Sequence, residues 1–176
     1  MFVLWKILYC NFILLGPPWT KVYSHNVAGG VFADLNEAKK KNIDDETSKL
    51  YSILYNLESL RNYDEVFHFK LCYPELTKYS YPCNEWKQSS NPVVDSAISG
   101  FEAITLTFPK NGLKMPFGGL GLSPTSFASS LIDDTPDHYT WWMSIGTLRL
   151  YKGQLTGPSK IGVKRNELYV ENSPSM

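Results

Sequence analysis

Alternation of apolar and polar positions is the clearest signal in the chain. Residues 66–73, V-F-H-F-K-L-C-Y, place Phe67, Phe69 and Leu71 on one side and His68 and Lys70 on the other. A period of two predicts a strand with one buried and one wet face. Residues 19–27, W-T-K-V-Y-S-H-N-V, predict a first strand closed by Gly29 and Gly30. C-N-E-W-K-Q (83–88) predicts a strand ending at the Asn91-Pro92 turn. G-F-E-A-I-T-L-T-F (100–108) predicts another, with Ile104, Leu106 and Phe108 inward, before the turn Lys110-Asn111-Gly112. S-S-L-I-D, Y-T-W-W-M-S-I-G-T and V-K-R-N-E-L-Y-V complete the strands. Within residues 47–62, Leu50, Ile53, Leu54, Leu57 and Leu60 share one helical face, predicting an amphipathic helix capped by Asp45 or Thr47. Asp34 followed by Glu37 resembles a capping box and predicts a short helix through Lys41. The expected fold is mostly β with one or two helices, an antiparallel β-sandwich or jelly roll. The first strand is expected to pair with the last, bringing the domain's ends together at one edge.

The first sixteen residues are apolar except for Lys6 and Asn11 and stop at Gly16-Pro17-Pro18. The run is too short for a confident membrane span. A signal peptide, a structural segment and an arbitrary start on a longer chain are all open readings. The expected division is a leader over 1–18, one β-rich domain over 19–171 and a frayed tail over 172–176. With 176 residues, 17 basic against 17 acidic side chains and 14% aromatics, the chain can bury a core. It carries no basic footprint for nucleic acid. Outside the leader's Cys10, two cysteines remain, Cys72 and Cys83, flanking a loop with two prolines. They form either a bridge at the neck of a hairpin or two half-buried thiols. No C-x-x-C spacing or Cys/His quartet points to zinc.

Chemistry-bearing residues are sparse. His25, His68 and His138 lie in no nucleophile-elbow context, and His25 and His68 read as surface histidines. Gly118-Gly119-Leu120-Gly121 lacks the Lys-Ser/Thr of a phosphate loop and reads as a tight bend. Asp133, Asp134 and Asp137 could supply part of a calcium shell; a solvated turn is the plainer reading. Tyr139, Trp141 and Trp142 follow, with Asp137 and His138 beside them. On a strand, one indole would face the core and the other the surface. An exposed indole beside acids and amides suits a sugar ring and its hydroxyls; both indoles as core packing is the competing reading.

Several blocks occur together: W-T-K-V-Y with G-G-x-F, F-H-F-K-L-C-Y-P-E-L, C-N-E-W-K-Q-S-S-N-P, G-F-E-A-I, W-W-M-S-I-G and V-K-R-N-E-L-Y-V. This set, spanning residues 19–170, resembles an extracellular domain of marine-invertebrate adhesive proteins; N-E-W-x-Q-x-S-N-P is its most specific part. A looser likeness joins it to fibrinogen-like recognition domains, which implies an α+β arrangement as the alternative fold. The cysteines expected there beside the tryptophans are absent, and the acidic spacing differs, so calcium and acetyl-group binding are not carried over. The resemblance implies secretion and a non-enzymatic recognition or adhesion role. The expected partner is an extracellular glycan or protein, with no nucleic acid and no stable membrane span. A structural matrix or spacer domain is the alternative, and a sandwich hydrolase a third reading.

Overall fold

The computed structural model describes residues 19–123, 129–135 and 140–172. The leader over 1–18 and the tail over 173–176 lie outside the described residues. The architecture is mostly β. The strands are β1 (Trp19–Asn26), β2 (Leu50–Ser52), β3 (Phe67–Cys72), β4 (Cys83–Gln88), β5 (Glu102–Leu106), β6 (Gly121–Leu122), β7 (Ile132–Asp133), β8 (Leu155–Thr156), β9 (Gly162–Val163) and β10 (Arg165–Glu171). Six form one antiparallel sheet in the order β2-β1-β10-β3-β4-β5. β6 pairs with β7, and β8 with β9, as two short ribbons.

The predicted alternation decides the inner face of the sheet. Phe67, Phe69 and Leu71 are buried, while His68 and Lys70 are half-buried on the other side. Phe69 stands opposite Trp86 in register, and their rings stack at 5.4 Å. Phe67 stacks on Phe69 at 5.2 Å, and Phe117 meets Trp86 edge-on at 5.0 Å. Such pairs add to the area they bury. The layer over this face comes from Phe32, Leu54 and Leu57 together with Leu120, Ile132, Ile145 and Leu155. These elements are compatible with a sandwich whose second layer is ribbons and loops.

Cys72 and Cys83 face each other across β3 and β4 and are bonded, with their Cα atoms 4.1 Å apart. The bridge closes the proline-containing loop and contributes about 3 kcal/mol in the chain-entropy picture. The two-thiol reading falls away.

Several expectations are corrected. Residues 47–62 are not one helix: Leu50–Ser52 is strand β2, paired with β1, and Leu54–Leu60 is a 3-10 turn. The apolar stripe is real, since Leu50, Leu54 and Leu57 are buried, but the open β1 edge captures its first part as a strand. The short helix, α1, runs Leu35–Lys39. Asp34 caps it by accepting from the Asn36 and Glu37 N–H groups. Glu37 reaches back to the Ala33 N–H at 2.7 Å, one residue before the cap, so the box is closed one position early. β1 does pair with β10, but inside the sheet, with β2 and β3 outside them. Ile104 does not point inward: a register shift of β5 against Glu85 and Trp86 leaves it without a partner and 44% exposed. The segment holding Trp141 and Trp142 is not a strand; it is irregular, with a single bridge from Ile145 to Ile132. Asn172, expected in the frayed tail, donates its amide to the Thr20 hydroxyl.

Candidate functional site

Trp141, Trp142 and Tyr151, with Thr140 and Thr156, line a cleft of about 240 Å³. Three local features place them. Backbone bonds from Leu131 and Ile132 to Ile145, and from Ser144 to Thr156, tie the irregular segment to β7 and β8. Met143 has left-handed backbone (φ 49°), which breaks the extended run directly after the two tryptophans. Strand alternation therefore does not apply, and both indoles are half-buried along one cleft. Tyr151 is held by the tight turn Lys152-Gly153, both at positive φ (50° and 76°), closed by its bridge to Gln154. Gly112 lies against the Trp142 ring so closely that a Cβ there would sit 2.2 Å from it.

The threonine hydroxyls of the cleft are engaged inward. The Thr156 hydroxyl donates to Ser144 Oγ at 2.8 Å, and Ser144 in turn meets Thr147 Oγ1 at 3.0 Å. Thr135 donates to the Thr140 carbonyl at 3.0 Å, with the Thr140 hydroxyl 3.4 Å from its oxygen. The indole Nε1 atoms of Trp141 and Trp142 are sealed from solvent and have no hydrogen-bond partner among the described residues. The cleft therefore meets the carbon faces of the indoles.

The two described aspartates are buried, which corrects the solvated-turn reading. Asp133 is 1% exposed and accepts from the Ser123 hydroxyl and, at 2.8 Å, from the Thr135 N–H. Burial pushes its pKa up to about 6. Asp134 donates its backbone N–H to the Trp142 carbonyl at 3.2 Å. Both of its carboxyl oxygens are buried without a partner among the described residues. Burial, with Asp133 adding to it, pushes its pKa up to about 8; the nearby Asn111 amide opposes this without reaching hydrogen-bond geometry. Among the described residues no group of three or more His, Cys, Asp or Glu side chains is placed to hold a metal ion. Asp137, His138 and Tyr139, expected to belong to the calcium shell or the ligand surface, lie outside the described residues.

Neither described histidine is a plain surface group. His25 is fully buried; its ring bonds the Tyr23 hydroxyl at 3.2 Å and the Gly30 carbonyl at 2.8 Å. Burial holds its pKa below the ordinary value. Tyr23 OH also accepts the Gly146 N–H at 2.8 Å, tying β1 to the loop behind the cleft. His68 bridges two carboxylates on the outer sheet face, Glu171 and Glu85, and packs edge-on against Trp19 at 4.8 Å. Cross-strand pairing brings these groups together.

In the N-E-W-K-Q-S-S-N-P block the side-chain amides all hold the fold. Asn84 exchanges two bonds with the Phe108 backbone. Gln88 Oε1 accepts from the Trp86 indole and the Leu120 N–H, and its amide donates to the Ser90 and Leu120 carbonyls. Asn91 holds Glu58 and the Val93 N–H. These buried amides fix the loops around the core, as buried polar groups must. A separate polar hollow of about 410 Å³ lies by Gly29, Glu37, Lys41, Asn42 and Lys49; Glu37 pairs with Lys41, and Asn42 bonds Ser48.

Sequence reasoning found the tryptophans but missed Thr140, Tyr151 and Thr156. The glycine of the Lys152-Gly153 turn is a local signal that could have marked Tyr151's neighbourhood. No helix among the described residues is long and apolar enough to cross a membrane. No protein-family model, curated protein or solved structure matches the chain.

Proposed function

We propose that this chain is an extracellular recognition module that binds a glycan in the Trp141/Trp142/Tyr151 cleft. The observation that carries the reading is the convergence of three aromatic side chains from two segments on one open hollow. Concave sites with aromatic walls and few polar groups suit small-ligand recognition, and a sugar ring offers a matching apolar face. The disulfide supports an oxidising compartment. The resemblance to adhesive extracellular domains supports the same setting.

The test is a glycan array probed with the secreted chain, followed by Trp141→Ala. Binding of at least one glycan class is expected, with at least a tenfold loss in the variant while its circular dichroism is unchanged. An array without a response, at a protein concentration well above micromolar, overturns the glycan reading and leaves the structural spacer role.

A further inference from the structure

We infer that the cleft takes acidic saccharides, whose carboxylate or sulfate groups meet lysines at its rim, an inference that rests on the glycan reading above. The chain as a whole is neutral, with 17 basic and 17 acidic side chains. The stretches that build the cleft and its walls, 109–123 and 140–164, are not neutral. They carry Lys110, Lys114, Arg149, Lys152, Lys160 and Lys164 and no Asp or Glu. All six are exposed, and none has an ion-pair partner among the described residues.

Four of these lysines flank the cleft. Lys152 Nζ lies 5.4 Å from the centroid of the exposed Tyr151 ring. Gly112 packs against the Trp142 ring, so the turn closed by the Asn111–Met115 backbone bond brings Lys110 and Lys114 beside that wall. The Ser159 hydroxyl donates to the Lys110 carbonyl at 3.1 Å, which sets Lys160 next to the same turn. Lys114, Lys152 and Lys160 have left-handed backbone (φ 62°, 50° and 65°), where Asn or Gly is the less costly residue. Three ammonium groups thus stand where the backbone gives lysine no advantage. The two described aspartates behind the cleft do little to offset them. Asp133 is buried on the Ser123 hydroxyl and the Thr135 N–H, and burial holds Asp134 protonated at neutral pH, with its pKa pushed up to about 8. A sugar ring lying on the indoles therefore brings its substituents to a rim of positive charge. A carboxylate or sulfate there accepts charge-assisted hydrogen bonds from the ammonium groups. Exposed ion pairs are individually weak, so several lysines must act together with the aromatic walls, and the attraction falls as salt rises.

The experiment is isothermal titration at pH 7, at low and at physiological salt, with four probes: tetragalacturonate, its neutral methyl ester, a heparin tetrasaccharide and a DNA dodecamer. At least one acidic tetramer is expected to bind at least tenfold tighter than the ester at low salt, with the advantage shrinking at physiological salt. Which of the two binds identifies carboxylate or sulfate as the group read. Lys114→Asn and Lys152→Asn both suit left-handed backbone; each is expected to weaken the acidic tetramer at least threefold and to leave the ester unchanged. Trp141→Ala is expected to weaken it at least tenfold. Equal or tighter binding of the ester, or unchanged affinity in both lysine variants, overturns the charge selectivity while leaving the glycan reading standing. DNA binding as tightly as the acidic tetramer, or acidic binding that survives Trp141→Ala, shows a cationic surface without a saccharide site and overturns the inference. Binding by none of the four also overturns it; whether the glycan reading falls with it is decided by the array.

Discussion

Asp134 has a buried carboxyl without a hydrogen-bond partner among the described residues, and it carries the largest upward carboxylate shift resolved there. Its pKa rises from an ordinary 3.8 to about 8. A group raised in the folded state supports stability fully below its unfolded pKa and loses that support as pH climbs to its folded pKa. Between pH 4 and 8 the wild type should therefore lose stability relative to Asp134→Asn. Urea unfolding at pH 4 and pH 8 checks this: the variant's advantage at pH 8 should exceed that at pH 4 by on the order of several kcal/mol. Gln88 behaves oppositely, since every bond its amide makes holds backbone or core. Gln88→Ala strands the Trp86 N–H and the Leu120 backbone groups in the interior and should cost about 2–3 kcal/mol, read as a fall in the urea midpoint. At this scale the sequence is a partial guide. It marked the N-E-W-K-Q block as special, yet nothing in it says that each amide turns inward. His25 and His68 look alike in the sequence; one is buried against Tyr23 and Gly30 and the other is clamped by two glutamates.

Among the elements, the β3–β4 hairpin is the part most legible from residue order. Its alternation, its proline loop and its two cysteines agree, and all three are borne out. Replacing both cysteines with serine should lower stability by about 3 kcal/mol with the sheet retained, checked by thermal melting of the double variant against the oxidised wild type. Elements whose form depends on distant partners were misread. Leu50 to Leu60 has helical spacing, but pairing with β1 outweighs local preference and draws Leu50–Ser52 into the sheet. β5 keeps its strand but not its periodicity, because a bulge on the sheet's last strand turns Ile104 out. The Trp141-Trp142 segment looked like a strand from its β-branched and aromatic content; left-handed backbone at Met143 ends that possibility.

In the molecule as a whole, the sheet and the cleft come from different kinds of information. The sheet follows from period-two burial, readable in residue order, and from the pairing of β1 with β10, expected from the meeting of the domain's ends. The cleft joins Trp141 and Trp142 to Tyr151 and Thr156 through the Ser144–Thr156 backbone bond and the Lys152-Gly153 turn, and no single segment encodes that meeting. The outer face offers a second aromatic surface, where Lys70 lies 4.1 Å from the Trp19 ring centroid beside His68. Its groups are already paired with one another, and we therefore propose the cleft as the ligand site. The most direct measurement is a proton–nitrogen NMR titration of the labelled chain with the best glycan from the array. Shift changes are expected to gather on Thr140, Trp141, Trp142, Tyr151 and Thr156. Changes centred on Trp19, His68 and Lys70 would contradict it.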